Sequence, residues 1–151
     1  MSESDIKTSS VSFLPYRIEG GEILVFLQKR TADAPSFPGD FLPFGGEIEA
    51  GEDPPAALMR ELKEELGYAP VQEKYAGALE YPGHVVHVYL ERVADGFEDS
   101  IHVMEGEYGK FFTEQEVYAE PKVPPDMKRV IPRFFDQIRA WDDSRTFQAL
   151  K

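Results

Sequence analysis

Cysteine is absent from this sequence, which removes disulfides and thiolate chemistry and is compatible with the cytosol. No apolar run approaches the roughly 20 residues that span a bilayer, and the polar, acidic start MSESDIKTSS has no hydrophobic signal core. A cytoplasmic protein without membrane contact is the expectation. Histidine is scarce, and His84, His87 and His102 are scattered without a cysteine or a close partner, so they make no zinc site. Positive charge is also in short supply: 16 basic against 28 acidic residues leave a net charge of −12. Such a chain has no general affinity for nucleic acid or anionic membrane. A polyanionic ligand would have to be met by individual arginines and by metal. Repeats and low-complexity linkers are missing as well.

What remains is a chain of 151 residues with 42% apolar and 13% aromatic content, suited to one compact domain over 1–151 with residues 1–8 as a tail. Residues 9–18 read as a strand interrupted by Pro15, suggesting an edge or a bulge. Gly20-Gly21 signals a tight turn, and 22–30 reads as a second strand buried on both faces. A loop over 31–40 leads to a short extended segment at 41–49. Beyond residue 70, segments 71–81 and 84–93 look like antiparallel strands around Pro82-Gly83. In the second, His87 and Tyr89 lie on one face and Val88 on the other. Residues 94–106 form a long acidic loop or strand edge, and 109–112 read as a final short strand. Thr113 with Glu116 makes a capping box for a short helix. Asp126 is expected to cap a terminal helix that packs through Val130, Ile131, Phe134, Phe135, Ile138 and Trp141, with Pro132 kinking or dividing it.

The chemistry concentrates in GGEIEAGEDPPAALMRELKEELGY, residues 45–68. Pro54 and Pro55 suit a first helical turn, Asp53 an N-cap and Gly67 a C-terminal stop, which predicts a helix over 54–66. At about 100° per residue, Leu58, Met59, Leu62 and Leu66 form a packing stripe. Glu61, Glu64 and Glu65 share about a third of the circumference beside it. Like charges at these spacings repel by a few tenths of a kcal/mol each, roughly. A hard divalent cation, which prefers oxygen ligands, would convert the repulsion into shared ligation.

The order Gly46, five residues, Glu52, seven residues, then Arg60-Glu61-Leu62-x-Glu64-Glu65-x-Gly67-Tyr68 closely resembles the Nudix box, the signature of the Nudix hydrolases. Every charged and glycine position is filled. Tyr68 stands where a smaller aliphatic residue is usual, and Phe44 where many relatives carry proline before the two glycines, with Pro43 one place earlier. The resemblance covers nearly the whole chain. It implies an α/β/α sandwich, of α/β (α+β) class, with a mixed β-sheet and the box helix packed on it.

The resemblance also implies a Mg²⁺-dependent pyrophosphohydrolase, with Mn²⁺ able to substitute, that cleaves a nucleoside diphosphate linked to another moiety such as a dNTP, ADP-ribose or a nucleotide sugar. Glu61, Glu64 and Glu65 would be metal ligands together with the backbone carbonyl of Gly46. Arg60 and Glu52 would organise those carboxylates. The general base is expected at Glu105 or Glu107, in the loop before the last strand, or within the box at Glu64. Arg17 and Arg30 are candidate phosphate contacts. His84, His87 and Tyr89 are candidates to line a base or sugar pocket, with Tyr81 to stack. The partner would be a small molecule, not nucleic acid, for a monomer or a homodimer whose contact could use Phe97, Phe111 and Trp141. The alternative is a non-catalytic Nudix-like module that binds a nucleotide and regulates something else; such relatives usually lose box glutamates, and this chain keeps all of them.

Overall fold

The computed structural model describes residues 8–103 and 106–149, with 143–149 described by backbone alone. Its elements in chain order are β1 Thr8–Glu19, β2 Glu22–Lys29, β3 Phe41–Leu42, β4 Phe44–Glu47, α1 Pro54–Leu66, β5 Lys74–Tyr81, β6 His84–Arg92, α2 Phe97–Ser100, β7 Tyr108–Phe112, α3 Glu114–Ala119 and α4 Pro125–Ala149. The expected tail over 1–8 lies outside the described residues except for Thr8, which begins β1.

The sheet is mixed and seven-stranded, with path β3-β2-β1-β6-β5, β4 added to β1 and β7 to β2. Along one edge β1 has two antiparallel partners in succession: Ser10–Phe13 pair with β4, and Tyr16–Glu19 with β2. Its other edge runs parallel to β6 from Thr8 to Tyr16. Pro15 is therefore in a central strand and not at an edge. It is tolerated because it falls in the gap between β4 and β2, where no antiparallel partner requires its missing donor. Gly20 and Gly21, at φ 55° and 83°, close the β1–β2 hairpin with the two positive φ angles of a twist-matched turn.

Alternation along β1 sends side chains to two cores. Leu14 and Tyr16 join Val25, Leu27, Val88 and Leu90 under Val130, Ile131, Phe134, Phe135 and Ile138 of α4. Val11 and Phe13 join Phe26, Phe44 and Tyr89 under Ala57, Leu58, Leu62 and Leu66 of α1. The result is the expected sandwich. In α1, Asp53 accepts a hydrogen bond from the Ala56 amide, prolines occupy the first two positions, and Gly67 at φ 62° ends the helix. Met59, placed on the packing stripe from its angle, sits at the stripe's margin and is 43% exposed.

For α4 the expected cap is corrected, and of the two alternatives for Pro132 the division is. The helix continues through Pro132 without dividing. It begins at Pro125, so the Pro124 carbonyl accepts the Lys128 amide, and Asp126 lies inside the first turn instead of capping it. Among the expected exposed aromatics, Phe97 is buried, packed edge-on against Phe26 and Tyr68. The acidic loop contains α2, which brings that ring inward. No helix of the described residues is long and apolar enough to cross a membrane.

Candidate functional site

Arg60, at the centre of α1, gathers the acidic groups of the box. Its Nε and one terminal nitrogen donate to the two oxygens of Glu52 at 2.7 and 2.9 Å. That same terminal nitrogen reaches the Glu47 carbonyl at 3.0 Å, and the other donates to Glu61 at 2.9 Å and to Glu64 at 3.5 Å. A planar guanidinium can hold this many acceptors because its donors diverge in a fixed fork. Glu52 also accepts the Glu49 amide at 2.9 Å. The Arg60 hydrogen bond first, and that amide second, hold the Glu52 carboxyl down to about 2. The same pairing pushes the Arg60 guanidinium well above its ordinary value.

The two glycines at the start of the box stretch give the carboxylates their place. Gly45 has φ 146°, and a Cβ there would stand 2.0 Å from the Val11 carbonyl oxygen of the neighbouring strand. At Gly46 a Cβ would stand 2.4 Å from the carboxyl carbon of Glu61, so Glu61 occupies the space that the absent side chain leaves. Glu65 is 3% exposed, and its carboxylate accepts the Gly45 amide at 3.0 Å. Glu61 and Glu65 thus bracket the glycine pair from α1, while Glu64 lies on the solvent side, with its side chain 53% exposed. All the donors are hard oxygens, the set that suits Mg²⁺ or Mn²⁺. Among the described residues no three acidic, histidine or cysteine side chains are already closed into a metal cluster.

On the sheet face turned toward α4, a cleft of about 520 Å³ ends at Gly45, Gly46 and Glu47. Its floor is Ser10, Ser12, Gln28, Leu42, His84 and Val86, and its walls are Arg30, Ser36 and Phe37 on one side and Pro124, Asp126 and Met127 on the other. A second cavity of about 500 Å³, between the Gly20-Gly21 turn and Arg139, contains no box residue. The cleft that meets the glycine pair is therefore the candidate site.

The remaining candidates lie as follows. His84 lines the cleft and bonds Ser10 Oγ through Nε2 at 2.9 Å and Thr8 Oγ1 through Nδ1. His87 and Tyr89 face the α1 side and do not line it; His87 Nδ1 is 2.9 Å from the Tyr75 hydroxyl, and the Tyr89 ring packs on Tyr75. Tyr81 donates its hydroxyl to Asp126 at 3.2 Å. Arg17 lies 4.0 Å over the Phe111 ring, donates to Glu98 at 3.0 and 3.1 Å, and pairs with Glu19. Arg30 lines the cleft, but its Nε donates to the Ser36 carbonyl at 2.8 Å. Glu107 is exposed, its amide bonded to the Lys29 carbonyl at the end of β2. Glu105 lies outside the described residues.

Sequence reasoning passed over Ser10, Ser12, Gln28, Phe37, Asp126 and Met127 as cleft residues. Two signals for them exist. Ser10 and Ser12 are polar at period two in the strand that pairs with Gly46, and Gln28 is a buried polar residue directly after the apolar run of β2.

The NUDIX domain family model matches residues 7–134. The 8-oxo-dGTP diphosphatase of Haemophilus influenzae is 29% identical over 129 residues, covering 83% of this chain and 82% of that protein. A MutT protein from Methanosarcina mazei superposes with a TM-score of 0.70 at 20% identity, over 90% of this chain and 98% of that one. The NUDIX domain of Shewanella oneidensis NrtR, solved with ADP ribose, does so at 0.70 and 15% identity, over 91% and 99%. These two likenesses establish the fold. With the family match spanning most of the chain and a filled box gathered around Arg60, this protein belongs to the NUDIX family and is a hydrolase of phosphoanhydrides.

Proposed function

We propose that the protein is a metal-dependent pyrophosphohydrolase that takes a nucleoside diphosphate linked to another moiety and releases a nucleoside monophosphate and a second phosphorylated product. The observation that carries this reading is the pair Glu61, held by Arg60, and Glu65, held by the Gly45 amide, on either side of the glycines at which a nucleotide-sized cleft ends. Mg²⁺ or Mn²⁺, held by Glu61, Glu64, Glu65 and the Gly46 carbonyl, would neutralise phosphate oxygens and make bound water more acidic.

The chain's own residues prepare that chemistry. Arg60 offsets the repulsion within the acidic face and fixes Glu61 by a charge-assisted hydrogen bond, with Glu52 as its anchor. Glu65 is oriented by the Gly45 amide and by burial, and the leucines of α1 hold the whole face against the sheet. In hydrolysis a water oxygen bonds to phosphorus as the bridging P–O bond breaks, and the water gives its proton to a carboxylate; Glu107, Glu105 and Glu64 are the candidates for that base. The cleft confines the nucleoside half, which fixes which phosphorus meets the box. The lack of cysteine is compatible with a cytosolic site of action.

Incubation with Mg²⁺ and a panel of 8-oxo-dGTP, unmodified dNTPs, ADP-ribose, nucleotide sugars and dinucleoside polyphosphates tests the proposal. Turnover of at least one compound, lost on chelation, is expected. A folded protein that binds a panel member without cleaving it would instead be a binding module.

A further inference from the structure

Among the described residues, Phe37 is the single residue other than glycine with a left-handed backbone, at φ 49°. A bulky side chain is strained in that region, and Pro38 behind it restricts the backbone further. The ring gains little from the interior in return, since Phe37 is 53% exposed. Its loop is nonetheless held firmly. Arg30 Nε donates to the Ser36 carbonyl at 2.8 Å, Lys29 Nζ to the Gly39 carbonyl at 2.8 Å, and the Asp40 amide to the Phe37 carbonyl at 3.1 Å. A strained, over-determined backbone that presents an aromatic ring to solvent is the arrangement found where strain serves a ligand.

Phe37 borders the cleft that ends at Gly45–Gly46, whose apolar lining includes Leu42, Val86 and Met127. Gln28, 3% exposed, lies in the same lining with a long 3.4 Å hydrogen bond to the Pro43 carbonyl. It offers an amide to the edge of a planar heterocycle. We infer that Phe37 is a specificity residue: its ring is the stacking wall for the nucleobase of the substrate, and its strained backbone aims it there. This rests on the proposed reaction and adds where, and by which ring, the base is read. Stacking tolerates any base, so Phe37 separates substrates with a base from those without one.

The test compares Phe37→Gly and Phe37→Tyr with the parent protein on a dNTP that the parent cleaves and on deoxyribose 5′-triphosphate lacking a base. For Phe37→Gly the KM for the dNTP should rise about tenfold, with kcat and the abasic KM within twofold of the parent. Phe37→Tyr should restore the parent KM. The unfolding temperature of Phe37→Gly should equal or exceed the parent's, because glycine relieves the strain. An unchanged dNTP KM, or an equal rise for the abasic compound, would overturn the inference. Calorimetric binding of dGMP and AMP is measured alongside. If the parent turns over nothing, the hydrolase reading fails, while weaker nucleotide binding by Phe37→Gly than by the parent still upholds the stacking role. Equal binding by the two, or none by the parent, refutes it.

Discussion

Tyr68 donates its hydroxyl to the carboxylate of Glu91, which is 1% exposed and also accepts the amides of Val71 and Gln72 at 2.9 and 2.7 Å. The one unusual residue of the box is thus paired with a buried acid on β6, and the pair ties the end of α1 and the following turn to the sheet. Tyr68→Phe leaves that carboxylate short of one donor, and denaturant unfolding should show a loss of about 1–3 kcal/mol. A change within a few tenths would mean that the two amides suffice.

Burial first, and Glu91 second, raise the Tyr68 phenol well above its ordinary value of 10.0. Burial raises Tyr81 and Tyr89 in the same direction. A raised folded pKa means that the native state keeps its proton longer than the unfolded chain. The contribution is complete below pH 10 and is lost as pH rises above it. Stability measured from pH 8 to 12 should be flat and then fall, and Tyr68→Phe should flatten part of the fall.

Glu52 carries the opposite sign. Held at about 2 against an ordinary 4.5, it favours the native state above pH 4.5, and that contribution disappears as pH falls toward 2. Glu52→Gln should weaken the acid dependence of unfolding in this window. Because Glu52 anchors Arg60, turnover at neutral pH should also fall by roughly 10- to 100-fold. Arg60→Lys should do no better, since one ammonium cannot replace a bidentate fork.

The glycine pair separates stability from activity. The three atoms nearest a Cβ at Gly46 all belong to the Glu61 carboxylate, so Gly46→Ala should abolish turnover while shifting the melting temperature little. At Gly45 the obstacle is the Val11 backbone and the φ is positive, so Gly45→Ala should destabilise the fold. Thermal melts and turnover on both variants decide it. A fully active Gly46→Ala would remove Glu61 from its assigned place.

Leu62 is fully buried in the α1 core, and Leu62→Ala should cost about 2–5 kcal/mol in denaturant unfolding. Glu65→Gln should instead eliminate turnover with the fold retained, and so should chelation of divalent metal from the parent protein. Turnover by Glu65→Gln at the parent rate would withdraw Glu65 from the metal set.

The helix of the box was legible to its ends because everything that bounds it is local: Asp53, two prolines, and Gly67. Longer-range features were not. Pro15 suggests an edge only until β1 is seen to change partners beside it, and Phe97 looks exposed until α2 turns it toward Phe26. The acidic face followed from helical angle alone, whereas the cleft is assembled from β1, β2, the loop after it, β3, β4, β6 and the start of α4, residues up to 117 positions apart. Ser10 and Asp126 meet there through tertiary packing, which no single segment encodes.

The parallel ladder between β1 and β6, which joins Thr8 to His84 and Tyr16 to Arg92, should also govern when the enzyme can begin to work. During synthesis the box emerges before β6 has been made. Gly45 and Gly46 are aligned by β1, and one edge of β1 stays unpaired until residues 84–92 are available. Pairings between such distant segments form slowly, because a long loop must be closed before any contact repays it. Box helix formation and catalytic competence should therefore be separate events in time, with activity appearing only once the far strand has docked.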